Sequence, residues 1–222
     1  MNRSRRSRLL VGALILSGSV LLGAGAWAIL RYGVEQEEDL PALGKVPEFL
    51  LLASNGQTVS PANLAGSVWV ADFIFTRCGS ICPTLSRQMA KLQGALARAG
   101  NESVRLVSFS VDPAHDTPEV LRDYATRFHA DPNRWIFVTG ERAPLYRLLG
   151  DGFHLAVAER AEGENGGDDL ITHTDHFVLV DRELNIRGYY HGTDDDSMKQ
   201  LLRDLDKAKR SAGSGRQSAS RQ

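Results

Sequence analysis

The sequence predicts one α/β domain, a sheet sandwiched between helices, behind an N-terminal transmembrane helix. An uncharged apolar run near the N-terminus supplies the membrane helix, and β-type runs alternating with helix-period segments supply the sandwich. Of the 222 residues, 42% are apolar and 24% charged, an ordinary globular composition that excludes a collagenous or wholly disordered chain. Setting the two ends aside leaves roughly 150 to 170 residues, enough to bury one core without disulfide staples.

Residues 1–8 hold Arg3, Arg5, Arg6 and Arg8 with no acid, and read as a basic cytoplasmic terminus. Leu9 to Leu30, LLVGALILSGSVLLGAGAWAIL, is 22 residues without a charge. At about 1.5 Å per residue it can cross a hydrocarbon core of about 30 Å. Arginines precede it and Glu35, Glu37, Glu38 and Asp39 follow it, so the positive-inside rule puts the domain on the periplasmic side of an inner membrane. Ala24-Gly25-Ala26 would suit signal-peptide cleavage, but the run is longer than a signal core and favours a retained anchor. Residues 31–44 form an acidic linker, and the domain is expected over 45–206.

Within the domain, Glu48 to Ala53 and Gln57 to Val59 flank Ser54-Asn55-Gly56, a hairpin signal. Val68 to Phe75, VWVADFIF, is nearly continuous apolar sequence and reads as a buried central strand. Thr84 to Ala99 carries Leu85, Met89, Leu92 and Leu96 at helical spacing and stops at Gly100-Asn101. Val104 to Val111 is the next strand. Asp116, Thr117 and Pro118 start a helix with Val120, Leu121, Tyr124 and Phe128 on its buried stripe. Trp135 to Thr139 is a strand, Ala143 to Leu149 a short helix, and Phe153 to Ala158 a further strand. Glu159 to Asp169 is an acidic, glycine-rich surface loop. His176 to Val180 and Ile186 to Tyr190 form an antiparallel pair. Asp194-Asp195-Asp196 caps a last helix striped by Met198, Leu201, Leu202 and Leu205, and residues 207–222 form a basic, disordered tail. Strands and helices in alternation, closed by a hairpin and a helix, make a thioredoxin-like sandwich.

The formal net charge of −1 hides a segregation. The two ends hold nine basic residues and no acid, leaving 17 basic residues against 27 acidic ones between residues 9 and 206. A polyanion would not select that surface, so nucleic-acid binding is excluded.

The chemistry concentrates at the only two cysteines, Cys78 and Cys82, in F-T-R-C-G-S-I-C-P where a strand hands over to a helix. Unpaired amide hydrogens and the dipole of a helix start favour thiolates there, and four-residue spacing puts both sulfurs on one face. Three roles compete. A structural disulfide would close a loop too short to constrain the unfolded chain much. A redox dithiol would ordinarily have two intervening residues rather than three. A metal site needs further donors, for which there are six histidines: His115, His129, His154, His173, His176 and His191. His129 and His154 read as partly buried or surface residues. His173 stands at a loop-to-strand junction, free to lean over a helix start. Strand alternation turns His173 and His176 to opposite faces, so at most one of them points at the cysteines. A peroxidase would call on Thr76 and Arg77 beside Cys78. Asp112 and Asp116 read as turn and helix-cap residues.

Three segments in order resemble the Sco/SenC copper proteins, which serve assembly of the dinuclear copper centre (CuA) of cytochrome c oxidase. They are C-x-x-x-C-P at Cys78, Cys82 and Pro83, S-V-D-P-A-H-D-T-P-E-V-L at Ser110 to Leu121, and H-T followed by a strand ending in an acid at His173, Thr174 and Asp181. The resemblance spans residues 45 to 206. It implies one copper ion, Cu(I) or Cu(II), held by Cys78, Cys82 and His173, an oxidase subunit as recipient, an upstream copper donor and a thiol reductant. It equally accommodates a thiol-disulfide oxidoreductase in which Cys78 and Cys82 are the catalytic pair. The sequence departs from the family pattern at Gly79 and Ser80, where proline and aspartate are common, at Thr172, where aspartate is common, and at His191, where glycine is common.

Overall fold

The computed structural model describes residues 39–155 and 174–211. The expected cytoplasmic terminus, the transmembrane helix, residues 31–38 of the linker, the acidic loop, His173 and residues 212–222 lie outside them. Among the described residues no helix is long and apolar enough to cross a membrane.

Eight strands form one mixed sheet: β1 (Gly44–Lys45), β2 (Leu51–Ala53), β3 (Thr58–Val59), β4 (Val68–Ile74), β5 (Val104–Ser110), β6 (Trp135–Thr139), β7 (His176–Val180) and β8 (Asn185–His191), in the spatial order β1-β8-β7-β4-β5-β6-β2-β3. β4, β5 and β6 run parallel, and β7 pairs antiparallel with β4. Among the described residues five helices flank the sheet: α1 (Pro61–Leu64), α2 (Cys82–Arg98), α3 (Pro118–Arg127), α4 (Arg142–Arg147) and α5 (Asp195–Ser211).

All seven residues of β4 are buried because both faces of the sheet are covered, which is why its sequence is nearly continuous apolar rather than alternating. On one face Val68, Val70 and Ile74 pack with Leu85, Met89 and Leu92 of α2, Leu121 and Tyr124 of α3, and Leu201 and Leu205 of α5. On the other, Trp69, Ala71 and Phe73 pack with Val46, Phe49, Leu145 and Phe153. Phe109 of β5 ties this second layer together, 5.7 Å from Phe73 and 5.4 Å from Phe153 between ring centroids.

Several element boundaries depart from the sequence-based expectation. The hairpin pairs as expected, and β2 also joins β6, which makes it an extension of the main sheet. β1 arises inside the expected tether and its neighbourhood by pairing with β8, a long-range contact invisible to local pattern. Of the expected strand Phe153 to Ala158, residues 153–155 are described and are not strand; the rest lies outside the described residues. α4 passes into a π-helical turn at Leu148–Gly152, Phe153 terminates it, and His154 adopts a left-handed φ of 54°. Phe153 is apolar because it fills the aromatic layer, not because it belongs to a strand. α5 runs to Ser211, so residues 207–211 are helix where a disordered tail was expected. Lys207 and Lys209 there pair with Asp204 and Asp206 one turn back. Asp194 does cap this helix, its carboxylate accepting from the Ser197 N–H at 2.8 Å.

Candidate metal centre

The dithiol sits where β4 delivers the chain to α2. Cys82 and Pro83 occupy the first turn of that helix, with proline where its missing N–H costs nothing. Cys78 lies just ahead, in the loop. The Cys82 N–H donates to Cys78 Sγ at 3.4 Å, and Ser80 Oγ lies 3.6 Å from the same sulfur. Both cysteines are reduced and buried, in the apolar layer with Ile74 and Leu85.

The two sulfurs differ in acidity. Burial opposes ionisation of Cys78, but backbone hydrogen bonds from Cys82 and Ser80 and a side-chain bond with Cys82 outweigh it and bring this thiol below 9.0. Burial pushes the Cys82 thiol far up, and its bond to Cys78 and the charges of Cys78 and Asp72 push the same way against a backbone hydrogen bond with Phe75. Cys78 is therefore the more acidic of the two thiols, its sulfur held by the Cys82 N–H at the helix start.

Beneath the pair lies a group that pattern reading passed over. Asp72 is wholly buried in β4, on the strand face that carries Val70 and Ile74. Its Oδ1 accepts from Ser108 Oγ at 2.5 Å, and that hydroxyl accepts from Trp135 Nε1 at 2.8 Å. Its Oδ2 is buried with no hydrogen-bond partner. Burial raises its pKa from 3.8 to about 7 against the Ser108 bond. A lone acid inside an apolar strand was the available signal.

Asp112 and Asp116 do more than shape a turn. The helix cap of α3 is Thr117, whose side chain accepts from Val120 N. Asp116, fully buried, instead reaches 40 residues back: its carboxylate takes the Thr76 hydroxyl at 2.6 Å, the Thr76 N–H at 3.2 Å and the Ser110 hydroxyl at 2.6 Å. It thereby clamps the strand end two residues before Cys78. Asp112 accepts from Arg77 Nη2 at 2.9 Å and lies 2.8 Å from His115 Nδ1. Thr76 and Arg77 are thus both drawn to the 112–116 loop, which is not the arrangement a peroxide-binding thiol needs.

His173 lies outside the described residues. His176 is placed away from the sulfurs. Phe177 and Leu179 pack in the cysteine layer, whereas Val178 and Val180 pack in the opposite one. His176 shares the face of Val178, its ring 6.4 Å from Tyr189. The described chain resumes at Thr174; the Asp175 carbonyl accepts from the Gly192 N–H at 2.7 Å, and a Cβ on Gly192 would lie 2.6 Å from Leu85 Cδ2 of α2. His129 and His154 both lie in loops at left-handed φ.

A thioredoxin-like sheet with a reduced, polarised dithiol at the first turn of its long helix defines a domain for soft-metal or thiol chemistry. Comparison with known proteins narrows the class. The SCO1/SenC family model matches residues 38–210, and the chain belongs to that family. Over 176 residues it is 33% identical to the SCO1 protein homolog of Bacillus subtilis, covering 79% of this chain and 88% of that one. Over 153 residues it is 33% identical to a Stutzerimonas stutzeri protein provisionally named copper-binding, covering 68% and 71%. Among solved structures, BsSco, described as a member of the Sco family of cytochrome c oxidase assembly proteins with a disulfide switch, superposes with a TM-score of 0.65 at 33% identity, covering 77% of this chain and 98% of that one. The copper-bound ScoI of Bradyrhizobium japonicum shares the fold at a TM-score of 0.60 and 22% identity, covering 72% and 99%.

Proposed function

We propose that this protein is a membrane-anchored copper metallochaperone for the CuA centre of cytochrome c oxidase. It would hold one copper ion through Cys78, Cys82 and His173. The observation that carries the proposal is the pair of free cysteines brought together at the start of α2, with the Cys82 N–H on Cys78 Sγ and the Cys78 thiol lowered from its ordinary value. Two thiolates and an imidazole make a soft, three-coordinate set suited to Cu(I), where structural zinc would want four ligands. A water or weak oxygen donor would complete the same set for Cu(II). The hydrogen bond from Gly192, which lies against Leu85 of α2, to the Asp175 carbonyl two residues beyond His173 supports His173 as the third donor. Loading requires the dithiol reduced and both thiols deprotonated. Copper is the cargo, arriving from an upstream donor and leaving to the copper-bearing oxidase subunit. The run Leu9 to Leu30 would anchor the domain on the periplasmic side of the inner membrane, and no nucleic acid is involved.

The test is anaerobic copper titration of the full chain and of His173→Ala, read by absorption and EPR. With Cu(I) as titrant, one ion per chain is expected, with a sulfur-to-Cu(II) charge-transfer band after oxidation of the metal, and His173→Ala should weaken binding strongly. Undiminished affinity in His173→Ala would refute the ligand set.

The asymmetry of the two thiols supports a second reading, a thiol-disulfide oxidoreductase acting on the oxidase copper site. The Cys78 thiolate would attack a disulfide of the recipient, giving a mixed disulfide and one released thiolate. Cys82, losing its proton, would then displace the second recipient sulfur, leaving the Cys78–Cys82 disulfide and a reduced recipient. A thiol reductant returns the pair to the dithiol. This cycle does not use His173, so His173→Ala retains it while losing copper.

A further inference from the structure

We propose that Asp175, His176 and His191 form a second metal site, separate from the cysteine pair, that takes a divalent first-row transition ion and binds Cu(II) most tightly. Each residue offers one ligand atom, and the three atoms lie within 4.8 Å of one another. His191 Nδ1 is 3.0 Å from Asp175 Oδ1, and His176 Nδ1 is 3.4 Å from the same oxygen. The arrangement follows from backbone register and not from side-chain choice alone. His176 and His191 are direct partners across β7 and β8, so both imidazoles leave the same face of the hairpin, with centroids 4.4 Å apart.

The surrounding residues hold the donors in place. Thr193 Oγ1 donates to Asp175 Oδ2 at 2.9 Å, Thr174 Oγ1 lies 3.0 Å from His176 Nδ1, and the His191 N–H donates to Ser197 Oγ at 2.8 Å. The side chains of Asp175, His176 and His191 are 22%, 34% and 59% exposed, so an ion here would keep open positions facing solvent. Two imidazoles and a carboxylate are borderline donors. They suit Cu(II) and Zn(II), lack the thiolate that selects Cu(I), and by the Irving–Williams order hold Cu(II) above the other divalent ions. His176 and the cysteines belong to opposite faces of the sheet, so the two sites do not share a coordination sphere.

The test uses the full chain carrying Cys78→Ser and Cys82→Ser, which removes the sulfur ligands, titrated with copper(II) sulfate and followed by calorimetry and EPR. One Cu(II) per chain is expected, with hyperfine splitting from two nitrogens and no sulfur-to-copper charge-transfer band. Adding His191→Gly should lower affinity by about tenfold or more, since even an outer partner of a ligand is worth that much, and should leave one nitrogen. Asp175→Asn, nearly isosteric, should also weaken binding and covers the case in which His191→Gly disturbs the hairpin. His173→Ala should change nothing. Copper binding that survives both His191→Gly and Asp175→Asn, or that His173→Ala abolishes, would overturn the proposal. Neither result bears on the cysteine site, which is tested by thiolate charge transfer in the unsubstituted chain.

Discussion

Replacing Asp72 with asparagine should change how stability depends on pH. Asp72 is wholly buried, and its folded-state pKa of about 7 stands above the 3.8 of an exposed aspartate. Below 3.8 both folded and unfolded chains carry the proton, and the group contributes nothing to the pH dependence. Between 3.8 and about 7 the unfolded chain ionises while the folded chain keeps its proton, so stability falls as pH rises, by about 1.4 kcal/mol per pH unit. Above about 7 both states are ionised and the penalty is constant. Over the whole window the loss comes to about 4 kcal/mol. Asp72→Asn keeps an acceptor for the Ser108 hydroxyl and cannot ionise. Relative to the parent it should therefore gain stability progressively from pH 4 to 7, by up to about 4 kcal/mol, and then level off. Any fixed offset from its buried NH2 group is independent of pH. The groups whose acidity feels Asp72, Cys82 and Tyr124, are both pushed upward and titrate above the window, so the difference isolates this carboxyl. The assay is urea denaturation of reduced, metal-free parent and variant at half-unit intervals from pH 4 to 8. A difference in stability that stays flat with pH, or shrinks as pH rises, would refute the reasoning.

Other perturbations test the rest of the site. Iodoacetamide should label Cys78 with a pH midpoint below 9.0 and largely spare Cys82, because helix-start amides stabilise the first thiolate and burial opposes the second; peptide mass spectrometry reads this, and preferential labelling of Cys82 would contradict it. Asp116→Ala strips partners from the Thr76 N–H and hydroxyl and the Ser110 hydroxyl, and should cost about 2–4 kcal/mol in urea denaturation, with weakened copper binding because the strand end before Cys78 is released. Gly192→Ala puts a methyl within 2.6 Å of Leu85 Cδ2 and 2.9 Å of Phe177 Cε1, and should cost about 1–3 kcal/mol. A Tm for Gly192→Ala equal to that of the parent would show that the turn moves away from α2 at no cost.

Much of this protein was legible in local order. The apolar run of β4, the spacing of Leu85, Met89, Leu92 and Leu96 in α2, and the two cysteines at the junction between them need only neighbours in sequence, since strand and helix periodicity are local properties. That His173 and His176 would face opposite ways in an extended strand follows from the two-residue repeat, but that His176 faces away from the cysteines is seen only in the packed sheet. Long-range contacts decided the rest. Phe153 resembles a strand residue by type, yet its place is set by Phe73 and Phe109, far away along the chain. The carboxylate of Asp116 could be read as a cap until the fold brought Thr76 and Ser110 to it. Asp72 became an acid of unusual pKa only when two layers closed over it, and Asp175, His176 and His191 became a cluster only when β7 and β8 paired in register. Residue type and spacing along the chain determine which groups are available. Burial and cross-strand register, which depend on residues tens of positions apart, determine how acidic those groups are and which of them meet.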